Sequence, residues 1–239
     1  MKITPNNRYN IKFNNKESIM TPSFGHVKHS NDNYYSKKDK AIVGATTAFG
    51  VLTACAILAK RAGYSLKPTK MFSNLKNSYL KNVDYEVKEV VSIGAGSCLG
   101  GLAGGYIIDK DKENRKLKRR EALMHFGNIS IPIITVGVLV DELFKKSNKW
   151  VKAFAGLGGV GAGIYMANII MNAVCNKIFR DDSNSRGVEV TDLPAHLDDV
   201  VVAANYISDS KIVKLLGRVI PLALMVAGNE IGTKNKTQY

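Results

Sequence analysis

Cysteine is scarce and poorly spaced for any framework: Cys55, Cys98 and Cys175 form an odd set, and each lies inside an apolar run. That excludes a disulfide scaffold and a Cys-x-x-Cys metal pair, and leaves three small packing residues in a reducing or membrane setting. The sequence has no Gly-x-Ser-x-Gly elbow, no His-Glu-x-x-His pair and no P-loop. No catalytic residue, metal ligand or cofactor follows, and the chain is not expected to be an enzyme. The opening Met1-Lys-Ile-Thr-Pro lacks the apolar stretch of a secretory leader, so export would rest on the first span acting as an uncleaved anchor. Acidic residues are also few, 20 against 34 Lys and Arg, for a net charge of +14. Such an excess suits nucleic acid or anionic lipid headgroups. The aromatic-basic interleaving of an RNA-binding sheet is missing, so headgroups are the expected partner and nucleic acid is not.

Long uncharged runs are plentiful. Ala41–Ala59, Val90–Ile108 and Ala122–Val140 each hold nineteen residues without Lys, Arg, Asp or Glu, and Ala153–Asn176 holds twenty-four. Each is about as long as a bilayer core requires. The mean hydropathy of −0.08 is low for a membrane protein, yet the average hides segregation: uncharged runs alternate with loops crowded by Lys and Arg, where a soluble core would show amphipathic helices. A fifth, marginal span covers 211–231. Its apolar part is short, Lys211, Lys214 and Arg218 precede it and Glu230 closes it, so it either crosses with snorkelling lysines or is re-entrant.

The organising stretch is Gly94-Ala-Gly-Ser-Cys-Leu-Gly-Gly-Leu-Ala-Gly-Gly105. Gly96, Gly100 and Gly104 recur every four residues, with Ser97, Gly101 and Gly105 as the adjoining row, so together they face one side of a helix. In water each interior glycine costs about 1 kcal/mol relative to alanine; in a bilayer, small residues four apart let another backbone approach closely. A phosphate-cradling turn would need a different glycine spacing. The fourth run repeats the device with Gly156, Gly159 and Gly163, flanked by Ala155, Ala162 and Ala167, which makes it the expected counterpart. A glycine-zipper helix bundle follows, within one chain or between copies.

Polar groups inside the spans give a second theme. Pro132 removes a helical donor near the middle of the third span, so a kink is expected there beside Asn128, Ser130 and Thr135. On the fourth, Tyr165, Asn168 and Asn172 share a stripe with Gly158 and Gly161. These polar groups either line a path or bond between helices. His125 lies near a span end and reads as interfacial, and Asp109–Glu121, with seven basic and four acidic residues, reads as a solvated connection. Trp150 with Phe144 and Phe154 among lysines resembles a membrane-surface anchor. A short surface helix with Phe72, Leu75, Tyr79 and Leu80, and dipole-placed Asp198 and Asp199 beside His196, are also expected.

The expected fold is therefore all-α, a polytopic helical membrane bundle with four strong spans and a marginal fifth. Residues 1–40 form a disordered basic tail, 41–179 the four-span domain (about 41–59, 90–108, 122–140 and 153–176), 180–232 a loop, short helix and fifth span, and 233–239 a polar tail. If all five spans cross, the face carrying the N-terminal tail holds about 18 basic residues against about 13, which sets the N-terminus in the cytoplasm. The leading functional reading is a membrane scaffold or assembly component, with the bilayer and a homo-oligomer as partners. The alternative is a small transporter or channel whose path is lined by Asn128, Tyr165, Asn168 and Asn172. A basic peripheral protein that binds nucleic acid is the third.

Overall fold

The computed structural model describes residues 34–65, 87–180 and 219–235. The N-terminal 33 residues, the surface helix expected around Phe72–Leu80, the His196 segment and 211–218 lie outside them. The described residues fold into helices without a strand. They are α1 (Lys37–Arg61), α2 (Val87–Ile108), α3 (Lys112–Gly137) followed by a π-helical turn at Val138–Leu143, α4 (Lys149–Phe179) and α5 (Ile220–Thr233). Four of them, α1, α2, α3 with its π turn, and α4, are long and apolar enough to cross a membrane. At 14 residues α5 is about 21 Å long, short of a ~30 Å hydrocarbon core.

Local chemistry sets the boundaries. Ser36 opens α1 with a reciprocal capping box: its hydroxyl accepts from the Asp39 amide at 3.1 Å while the Asp39 carboxylate accepts from the Ser36 amide at 3.1 Å. Asp111 accepts from the Glu113 amide to start α3, and Asn148 from Val151 to start α4. These caps move two expected boundaries. The N-terminal tail gives way to helix at Lys37, four residues before the expected limit, and Tyr35 is already buried. The connection expected over 109–121 is a three-residue turn, because Asp111 caps a helix that begins at Lys112. That helix continues through Pro132, and its winding changes only at Val138.

Small residues decide which helices touch. A Cβ on Gly96 would strike the Gly50 carbonyl and Ala54, one on Gly100 would strike Thr46 and Thr47, and one on Gly104 would strike Thr46 and Val43. This whole row therefore faces α1. The adjoining row faces α5: Gly101 lies against Gly228, Gly105 against Gly232, and Ser97 donates to the Leu224 carbonyl at 2.6 Å while accepting from the Gly228 amide at 3.2 Å. On α4, Gly159 and Gly163 lie against Val136 and Pro132 of α3, and Gly156 is buried. The two glycine faces expected to mate with each other thus have separate partners. Periodicity reveals that a face is small, whereas the identity of its mate depends on chain order and shape. The buried cluster of Val51, Ile93, Ile129, Ile220 and Leu224 fills the space between α1, α2, α3 and α5, and α4 packs along the outer side of α3.

Candidate functional site

The feature with the most chemistry is a polar stripe on α3. Asn114, Lys118, Glu121, His125 and Asn128 recur at intervals of four and three, so at 100° per residue they project from one side of the helix. All five are buried. The outer surface of the bundle carries the reverse chemistry: Phe49, Leu99, Phe154 and Leu222 are each more than 60% exposed, whereas Lys118, Glu121 and His125 are 1% or less. Charges point inward and large apolar side chains point outward.

At the outer end of the stripe Lys118 is clamped. Its ammonium donates to the Tyr35 hydroxyl at 2.8 Å and to the carbonyls of Gly232 and Lys234 at 2.7 Å each. An ammonium has three N–H bonds, and all three are used. The last two acceptors are at the C-terminus of α5, where the helix dipole favours a cation. Asp109, at the end of α2, lies 3.7 Å from the same ammonium and accepts from Tyr35 at 2.5 Å. Burial, then that hydrogen bond and the charge of Asp109, push the Tyr35 phenol above its usual range, which keeps it a donor. Tyr34 and Arg115 complete the rim: Tyr34 accepts from Asn114 at 3.1 Å, and Arg115 donates to the Asp109 carbonyl at 2.7 Å and the Tyr106 carbonyl at 2.9 Å. Four segments meet at one lysine.

Deeper in the bundle the stripe reaches α5 again. His125 Nε2 lies 3.4 Å from Glu230 and 3.7 Å from Glu121, and the Lys234 ammonium lies 3.7 Å from the other Glu121 oxygen. Contacts at Gly94–Ile129 and Gly105–Lys118 fix the antiparallel register of α2 and α3. They set His125 within about a turn of Cys98, near the middle of the uncharged run 90–108. The interfacial placement expected for His125 is corrected accordingly, and the solvated reading of 109–121 is corrected for Asp109, Asn114, Lys118, Arg120 and Glu121, which are buried, while Lys110, Lys112, Glu113 and Arg119 are exposed. Neither could be read locally, because the groups that bury and satisfy these charges come from Tyr35 and from α5. The signal in the sequence is the spacing 114, 118, 121, 125, 128, which puts these five polar residues on one face.

The residues expected to form a path are not brought together. Asn128 belongs to the buried stripe. Tyr165 is 67% exposed on the outer side of α4, and Asn172 donates to Asn168 at 2.9 Å along the same helix. Gly158 and Gly161 share that outer side, and a Cβ on either would meet nothing within 4 Å. No cluster of His, Cys, Asp and Glu suited to a metal occurs among the described residues. No known protein family, curated protein or solved structure matches the chain.

Proposed function

We propose that the chain is a multi-pass integral membrane protein that serves as a scaffold or assembly component, pairing with a second copy of itself through α4. The observation that carries the reading is the outward stripe Gly158–Gly161–Ala162. Inside the bundle buried glycines are met closely by a neighbouring helix, small on small at Gly50 with Gly96 and Gly101 with Gly228 and against larger side chains at Gly94 with Ile129 and Gly127 with Met171, while a Cβ on Gly158 or Gly161 would meet nothing within 4 Å among the described residues. An exposed glycine lowers helix stability by about 1 kcal/mol relative to alanine, and in a bilayer it gives another backbone room to approach. A stripe facing its own copy across a twofold axis is matched by construction. Tyr165 beside it offers a hydroxyl at the same surface.

Orientation belongs to the same proposal. Lys118 binds Tyr35 and Lys234 together, so the start of α1 and the end of α5 lie at one end of the bundle. Five full crossings would have put them on opposite faces. Moving the C-terminal lysines to the N-terminal side raises the asymmetry to about 20 basic residues against about 11, which favours both ends in the cytoplasm.

In membranes washed at alkaline pH the wild-type chain should stay in the pellet, and cross-linking should trap a dimer. The double variant Gly158→Leu/Gly161→Leu should stay in the pellet and lose about nine-tenths of that dimer, the tenfold loss that about 1.4 kcal/mol of contact supplies. Release by the wash would remove the membrane reading. An undiminished dimer in the variant, or none in the wild type, would remove the assembly reading.

A further inference from the structure

We propose that the junction of α3 and α4 is a binding surface for the headgroups of anionic phospholipids, with Lys145, Lys146, Lys149 and Lys152 supplying the positive charge and Trp150 seated among them. The inference rests on the reading of the chain as an integral membrane protein. Lys145, Lys146 and Lys149 are exposed and Lys152 is half-buried. Among the described residues no carboxylate pairs with any of the four. The acidic groups nearest in sequence, Asp141 and Glu142, are exposed on the preceding π turn, so residues 141–152 carry four positive charges against two negative.

The same end of the bundle holds further cations. Gly137 at the end of α3 meets Val87 at the start of α2, and α1 runs antiparallel to α2, with Ala54 at Gly96 and Val43 at Gly104. The exposed Lys60, Arg61 and Lys88 therefore lie at this end as well. The carboxylate buried there, Glu89, is 3.7 Å from Lys88. An excess of like charge that the protein leaves unmatched draws counter-charge from outside it.

Exposed apolar side chains identify the source of that counter-charge as lipid. Leu143 is 68% exposed, Trp150 67% and Phe154 72%. At 100° per residue Trp150 and Phe154 are about 40° apart, so both rings stand on one outer strip of α4. A soluble polyanion or an acidic peptide would leave these side chains in water. The boundary of a bilayer accepts both kinds of group: rings settle at headgroup level, and lysine stems lie along apolar surface while their ammonium ions reach phosphate oxygens. Position along the chain agrees with that level. The uncharged run of α3 ends at Val140 and that of α4 begins at Ala153, so the four lysines and Trp150 fall between two span ends, in a headgroup layer roughly 5–7 Å thick.

The net charge of the headgroup then decides. Phosphatidylcholine offsets its phosphate with its own ammonium, whereas phosphatidylglycerol leaves the phosphate unmatched, and clustered lysines favour the second. The opposite end of the bundle is built differently. Its basic residues are interspersed with Asp39, Asp111 and Glu113, Arg115 and Lys118 are bonded to carbonyl groups, and it has no tryptophan.

Because Trp150 is the only tryptophan in the sequence, its emission reports this surface alone. The full chain is reconstituted in phosphatidylcholine vesicles holding a minor fraction of phosphatidylglycerol, with brominated acyl chains on one lipid or the other. Brominated phosphatidylglycerol should quench Trp150 about fivefold more per mole than brominated phosphatidylcholine, the preference that ~1 kcal/mol from a single lysine at an anionic surface supplies. Lys145→Gln/Lys146→Gln/Lys149→Gln/Lys152→Gln should be quenched equally by the two lipids, while Lys110→Gln/Lys112→Gln at the opposite end should keep the preference. Equal quenching in the wild type, an undiminished preference in the fourfold variant, or its loss in the distant pair overturns the proposal. Should the fourfold variant fail to insert, Lys145→Gln/Lys146→Gln, confined to the exposed turn, should still lower the preference, and an unchanged value there overturns it. Inorganic phosphate should act no differently from sodium chloride at equal ionic strength; a selective loss of the preference in phosphate would reassign the lysines to a free anion. Quenching by neither lipid also overturns the proposal, and retention in the pellet after the alkaline wash would then leave the membrane reading standing without it.

Discussion

Replacing Lys118 by Met should cost about 3–5 kcal/mol of stability, the range for removing one member of a buried charge pair. Methionine fills nearly the same space beside Gly105, so a cavity contributes little. The loss comes from what remains: the Gly232 and Lys234 carbonyls lose the ammonium, and Asp109 keeps a negative charge with Tyr35 as its remaining described side-chain partner. Removing the charge on both sides, as Lys118→Met/Asp109→Asn, should restore about half of the deficit, because the naked carboxylate is gone. Denaturant unfolding in lipid–detergent micelles, followed by helix content, checks both. A single variant within about 0.5 kcal/mol of wild type would show that the clamp contributes no more than an exposed ion pair.

The second large effect comes from adding one methyl group. Gly101→Ala puts a Cβ into the Gly228 backbone, against its carbonyl oxygen, carbonyl carbon and Cα, none of which can rotate aside. The helices must separate, at a cost of about 3 kcal/mol, the upper part of the range for overpacking. Separation also draws Gly232 away from Lys118, so the two sites should behave non-additively. Gly158→Ala is the matched control. The same chemical change at an open position should stabilise the protomer by up to about 1 kcal/mol through helix propensity alone. Equal responses at the two positions in the same unfolding assay would defeat the assignment of Gly101 to a helix contact.

Much of the architecture is legible in the chain, and the boundary of legibility has a physical basis. Uncharged runs mark α1 to α4 because bilayer thickness sets a length and a composition. The row Gly96, Gly100, Gly104 is visible because helical period is local. Its mate, Gly50, lies in another run of equally small residues, and nothing local separates Gly50 from Gly159 as a partner. The α3 stripe shows the other limit. Lys118, Glu121 and His125 sit in a sequence that reads as a solvated connection followed by a span end, since charge density alone implies water. Their burial depends on Tyr35 and α5, which reach them only when the chain is folded. In 114–128 the spacing 114, 118, 121, 125, 128 sets five polar residues on one side of the helix, while Arg115, Lys116, Arg119 and Arg120 fall on the other sides, and it is the five-residue stripe that asks for a buried partner.

The grip of Lys118 on α5 also orders events in time. The carbonyls it requires belong to residues 114 and 116 positions further along the chain. A ribosome delivers α1 to α4 well before them, so through most of synthesis this ammonium has Tyr35 and Asp109 but lacks two of its three acceptors. The C-terminal end of α5 supplies them. Delivery of residues 232–234 and full hydrogen bonding of the Lys118 ammonium are thus a single event, and a chain cut short ahead of Gly232 keeps this buried cation without two of its three acceptors.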